Sequence, residues 1–175
     1  HDGVRTQGEV IDSLVDRVRF VGVLASAADV SVERTAVIGT MQAAEGLGWG
    51  LLSQAQPETG ERASLTVRQS AIVDSHQLGV SVAGGEARLE HVSVVGGTGG
   101  AARGVEAEDS NGVRAILTMI DSTVAESQEL GILCGGSDVV LERVQVRNVH
   151  AGINGELGRG IGLQTNASTL LPTVA

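Results

Sequence analysis

A chain of 175 residues can bury one substantial core, and at 42% hydrophobic it is not a disordered acidic tail. A net charge of −9 argues against phosphate-driven nucleic-acid binding and against adhesion to anionic membranes. A single cysteine, Cys134, rules out a disulfide framework or a Cys-based zinc site, and no apolar run is long enough to cross a membrane as a helix. The apolar stock is almost wholly Val, Leu, Ile and Ala; Trp49 and Phe20 are the only aromatics, and Gly is abundant at 25 residues. That composition predicts thin strands with glycine at the bends.

In chain order, a segment of the form apolar-x-x-(Ser/Thr/Val)-x-(Val/Ile) recurs at Val10–Val15, Val32–Val37, Val67–Ile72, Leu89–Val94, Met119–Val124 and Leu141–Val146. After each comes a second segment, Gly-apolar-x-apolar, opening at Gly22, Gly48, Gly79, Gly104, Gly131 and Gly160. The residues after these glycines, Val23, Trp49, Val80, Val105, Ile132 and Ile161, are expected to face inward, followed by Ala25, Leu51, Val82, Ala107, Cys134 and Leu163. Residues 63–103 also align with 115–155 without a gap, with 13 of the 41 pairs identical. Period-two alternation in short runs denotes strands. A unit of about 22 residues cannot bury its own apolar face, but stacked units can.

The expected fold is therefore all-β: a right-handed parallel β-helix of about six coils, with longer loops on alternate coils, forming a single domain over 1–175. The chain starts at His1, which suggests a processed form or an excised piece. The repeat resembles the parallel β-helix repeats of the pectate-lyase-like superfamily over about residues 9–165. The resemblance is specific for architecture and nearly silent on activity; the one activity it implies is cleavage of acidic polysaccharides, as in many proteins of that superfamily. A left-handed β-helix would show hexapeptide periodicity, and a leucine-rich repeat would show a Leu and Asn ladder; neither is present.

Stacking predicts ladders of equivalent residues about 4.8 Å apart. One ladder reads Ile11, Glu33, Arg68, Glu90, Ile120, Glu142, and the next Asp12, Arg34, Gln69, His91, Asp121, Arg143, with opposite charges often adjacent. These are expected to be exposed cross-strand ion pairs, each contributing at most about 1 kcal/mol. The following position, Ser13, Thr35, Ser70, Val92, Ser122, Val144, is expected to be semi-buried near a bend, its hydroxyls satisfying turn backbone. Ile38, Val73 and Val95 fall on a nominally outward position, an apolar strip that implies either a different facing or a covered surface.

Coils two, four and six carry insertions at the same two corners, and function usually lives on such loops. The candidate ligand-binding residues are Arg103, Glu106, Glu108 and Asp109 on one inserted loop and His150, Glu156 and Arg159 on another, with a third loop around Glu45–Trp49. Arg103 and Arg159 hold equivalent positions. They suit bidentate capture of a carboxylate or uronate, or pairing with nearby loop carboxylates. No catalytic residue, metal site or cofactor is indicated. Asp74 and Glu126 share a ladder position but sit two coils, roughly 10 Å, apart. The Gly-rich stretches 96–104 and 155–162 lack the following helix that a phosphate loop requires. Two functions follow as expectations. One is a non-enzymatic scaffold or interaction module of a secreted or cell-envelope protein, with carbohydrate or another protein as partner and end-to-end or side-by-side self-association. The alternative is a lyase or glycoside hydrolase of acidic polysaccharide, or a remnant of one.

Overall fold

The computed structural model describes residues 5–44, 46–99, 102–152, 155 and 158–165. Each of six coils supplies three strands. Coil one holds β1 (Thr6–Ile11), β2 (Leu14–Asp16) and β3 (Phe20–Ser26); coil two holds β4 (Ala28–Glu33), β5 (Ala36–Ile38) and β6 (Gly48–Gln54). Coil three holds β7 (Ser64–Arg68), β8 (Ala71–Val73) and β9 (Leu78–Ala83); coil four holds β10 (Glu86–Glu90), β11 (Ser93–Val95) and β12 (Arg103–Glu108). Coil five holds β13 (Ile116–Ile120), β14 (Thr123–Ala125) and β15 (Leu130–Gly135), and coil six β16 (Asp138–Glu142), β17 (Gln145–Arg147) and β18 (Arg159–Gln164). Equivalent strands pair into three six-stranded sheets, β1-β4-β7-β10-β13-β16, β2-β5-β8-β11-β14-β17 and β3-β6-β9-β12-β15-β18, in which every strand pairing is parallel. The chain is a parallel β-helix of six coils, with the long loops on coils two, four and six.

The core is a bundle of single-residue columns. Val32, Val67, Leu89 and Met119 are fully buried in the first sheet, and Val37, Ile72, Val94 and Val124 in the second. In the third sheet the register joins Val23, Leu51, Val80, Val105, Ile132 and Ile161 in one column. The next inward column is Ala25, Ser53, Val82, Ala107, Cys134 and Leu163. This corrects the phase expected for coil two. Leu51, not Trp49, stands in the first inward column, and the aligned glycine is Gly50, not Gly48. Trp49 instead pairs with Val21 and Leu78 and is only half-buried, stacking on Phe20 with ring centroids 6.3 Å apart.

The glycine column has a packing cause. A β-carbon on Gly50 would lie 2.5 Å from the carbonyl oxygen of Gly79, one on Gly79 2.7 Å from that of Gly104, and one on Gly104 2.6 Å from that of Gly131. A side chain here would collide with the next coil.

The corners between first and second sheets are made by Asp12, Arg34, Gln69, His91, Asp121 and Arg143, all at positive φ between 46° and 53°. They are left-handed bend residues, not the strand residues their sequence position suggested. Their amides bond the coil above, as in Asp12 N–H to Glu33 O at 3.1 Å and Gln69 N–H to Glu90 O at 3.0 Å. The side chains pair along the column as expected: Arg34 donates to Asp12 at 2.6 Å and Arg143 to Asp121 at 2.5 Å. The hydroxyl ladder also serves the bend. Ser70 Oγ donates to Arg68 O at 2.7 Å and accepts from Thr35 N–H at 3.1 Å, and Ser122 Oγ accepts from Val92 N–H at 3.1 Å. A second left-handed column, Arg17, Gly39, Asp74, Gly96, Glu126 and Asn148, turns the chain out of the second sheet.

Candidate functional site

The inserted loops pack through the minimal coils between them. His76 N–H bonds Thr40 O at 2.9 Å from one side, and Gly99 N–H bonds His76 O at 2.8 Å from the other. Gln128 N–H then bonds Ala102 O, and His150 N–H bonds Ser127 O. This stacked edge borders the outer face of the third sheet, where a groove opens across coils four to six. The groove has a volume of about 510 Å³ and is lined by Arg103, Glu129, Leu130, Leu133, Gly155, Arg159 and Gln164. A smaller pocket of about 150 Å³ joins it at Arg103, with Trp49, Gln77, Leu78 and Glu106 as walls.

Strand alternation sets who reaches the groove. Val105 and Ala107 are fully buried, so Glu106 and Glu108 between and beyond them point out. Arg103 opens β12 and lies across both cavities. Its Nη1 donates to Glu106 Oε2 at 2.6 Å, and its Nη2 to Glu129 Oε2 at 3.5 Å. Burial opposes the Arg103 charge, but Glu106 and Glu129 outweigh it and hold the guanidinium firmly protonated. Gly152 makes this possible: a β-carbon there would press within 2.6 Å of Glu129 Cγ. Glu108 reaches over Gly135 of the next coil, and burial, with the nearby charge of Glu106, raises its pKa above the ordinary value.

Of the residues expected at a site, the structure brings Arg103, Glu106 and Arg159 to one groove system. Arg159 pairs with Leu130 in register, so it shares the column of Arg103 two coils on, roughly 10 Å away. Its side chain is exposed and makes no ion pair among the described residues, while its amide bonds Glu129 O at 2.8 Å. Asp109 does not line the groove; it is 8% exposed at the corner where β12 ends, its amide bonded to Gly135 O. His150 belongs to the loop edge, where its Nε2 meets Glu126 Oε2 at 2.9 Å and Asn148 donates to Glu126 Oε1 at 2.6 Å. Glu156 and Glu45 lie outside the described residues. Glu129, Leu133, Gln77 and Gln164 were not singled out from the sequence. Glu129 and Gln77 sit in minimal coils, outside the inserted loops that drew attention, and stacking is what carries them to the groove. Among the described residues no three His, Cys, Asp or Glu side chains gather closely enough to hold a metal ion.

No family model, curated protein or solved structure matches the chain. Its chemistry must be read from the groove itself: a rigid sheet floor, one arginine fixed between two carboxylates and one exposed arginine, with the raised carboxyl of Glu108 on the same sheet face but outside the groove lining.

Proposed function

We propose that the chain is a non-enzymatic β-helix scaffold or interaction module of a secreted or cell-envelope protein, with the groove on the third sheet as a docking place for carbohydrate or another protein. The observation that carries this reading is the environment of Arg103. Its guanidinium is clamped by Glu106 and Glu129, from adjacent coils, so it serves the stack as a cross-coil tie. Ion pairs of the same kind, Arg34 with Asp12 and Arg68 with Glu90, run along the other corners, where charge is used to hold coils in register. On this reading the resemblance to pectate-lyase-like repeats reflects a shared solution to coil stacking.

The second reading, an enzyme of acidic polysaccharide or its remnant, draws on Arg159, an exposed cation in the groove, with the raised carboxyl of Glu108 on the same sheet face. The deciding experiment measures release of unsaturated or reducing ends from a panel of acidic and neutral polysaccharides, with and without Ca²⁺. The scaffold reading expects no turnover on any polymer. Reproducible turnover that disappears on Arg159→Ala would overturn it in favour of the enzyme.

A further inference from the structure

The outward face of the second sheet is apolar along its middle and charged at its ends. In one column the register runs Asp16, Ile38, Val73, Val95, Ala125, Arg147, of which Ala125 is buried at 1% exposed and the other apolar members are half-buried. Ile38, Val73 and Val95 point away from the core, since the residues before them, Val37, Ile72 and Val94, are the buried ones. The sequence left open whether the facing or the cover was at fault; the facing is outward, and the strip is half-exposed.

We propose that this face is the dimer interface with a second copy of the chain, the two solenoids lying antiparallel about a two-fold axis. The argument is the order of charges. A two-fold axis running along the strand direction sets each column against itself in reverse, coil one against coil six. Asp16 then meets the partner's Arg147, and the apolar middle meets itself, Val73 against Val95. The neighbouring corner column behaves the same way. Read in reverse, its Asp12 faces Arg143, and its Arg34 faces Asp121. Each contact occurs twice, as an isologous interface requires. The parallel alternative, with coil one against coil one, leaves Asp16 opposite Leu14 and Arg147 opposite Gln145, and its corner contacts cancel, with Asp12 brought towards Arg17 but Asp121 towards Glu126. The charge order therefore selects one arrangement.

The face is small. Five strand spacings by about five residues give a footprint of roughly 400 Å² per copy, about half that of a standard interface. The dimer is accordingly a weak one that dissociates on dilution and in salt. The inference stands apart from the groove, which lies on the third sheet and stays open in the dimer.

Sedimentation equilibrium of the full chain tests it. The expected result is a concentration-dependent monomer–dimer equilibrium that stops at two copies. Asp16→Arg alone and Arg147→Asp alone each place like charges in contact twice and weaken the dimer by about tenfold. Asp16 otherwise pairs only with its exposed neighbour Arg17, at 2.9 Å among the described ion pairs, and Arg147 interacts with the exposed Glu126 at the surface, so circular dichroism of each variant should show the fold retained. An equimolar mixture of the two variants restores both contacts as arginine with aspartate, and its heterodimer is tighter than either variant alone. A monomer at every concentration, growth beyond two copies, or a mixture no tighter than its components would each overturn the proposal.

Discussion

Replacing Gly104 with alanine adds one methyl group at the centre of the glycine column. Its β-carbon would sit 2.6 Å from the carbonyl oxygen of Gly131 and 2.8 Å from Ser127 Oγ, and would overlap a Val124 methyl. Val124 could change rotamer, but the Gly131 carbonyl is held in the stack and cannot. Gly104 is not at positive φ, so the cost is contact and not backbone strain. Relief requires coils four and five to separate locally, which places Gly104→Ala at the upper end of overpacking costs, about 3 kcal/mol. For a domain of this size that lowers Tm by roughly 6–12 °C. Gly160 supplies the control. It ends the same column, and a β-carbon there meets nothing nearer than Val146 Cγ1 at 3.9 Å. Gly160→Ala should be neutral, or stabilising by up to about 1 kcal/mol through the unfolded chain. Thermal and urea unfolding followed by circular dichroism reads both. Equal effects of the two substitutions would refute the claim that the column is glycine because of coil-to-coil contact.

Trp49, the single tryptophan, donates to Gln77 Oε1 at 3.0 Å at the rim of the groove, so its fluorescence should be quenched by acrylamide in the native protein; a fully protected signal would place it in the core. Burial pushes the Cys134 thiol up to about 11, so a thiol reagent at pH 8 should label it only after unfolding, and rapid native labelling would contradict its place in the inward column. Arg34, Arg143 and Arg68 depress the carboxyls of Asp12, Asp121 and Glu90. A depressed folded pKa lends stability above the unfolded value and loses it as pH falls through the folded one, so the urea midpoint should decline below about pH 4, from the ordinary 3.8 and 4.5 downward. Glu108 has the opposite sign: its raised pKa makes the ionised form a cost at pH 7, so Glu108→Gln should raise Tm there, and the gain should vanish as pH falls through the Glu108 pKa. An unchanged or lowered Tm at pH 7 would contradict the desolvated placement of this carboxyl.

The coils were legible because each core position is stated six times. Val32, Val67, Leu89 and Met119 occupy one buried column, and a pattern with that redundancy survives the noise of any single residue. Coil two slipped because Gly48-Trp49 and Gly50-Leu51 satisfy the same glycine–apolar pattern, and the loop before them has no fixed length to choose between the two. Only packing decides: Gly50 meets the Gly79 carbonyl, and Trp49 is too large for the column that Leu51 fills. The corner residues hid for another reason. Left-handed backbone usually advertises itself as Gly or Asn, yet Asp12, Arg34, Gln69 and His91 adopt it, stabilised by amide bonds to the coil above. At the site, Arg103, Glu106 and Arg159 were readable as loop-borne charges. Glu129 was not, because its approach to Arg103 depends on the lateral path of a minimal coil and on the space left by Gly152.

The account rests on coil stacking, and the most direct test is a distance series along one exposed column. Spin labels on cysteines replacing Asp12 and, in turn, His91, Asp121 or Arg143 span three, four and five coils, with the buried Cys134 left unlabelled. Stacking at one strand spacing per coil gives backbone separations of about 14, 19 and 24 Å. Pulsed dipolar distances that lengthen by one equal step per coil are the expected result. Distances that fail to rise in that order, or that jump by more than one spacing between His91 and Asp121, would contradict the stacked register on which the columns, the groove and the dimer face all depend.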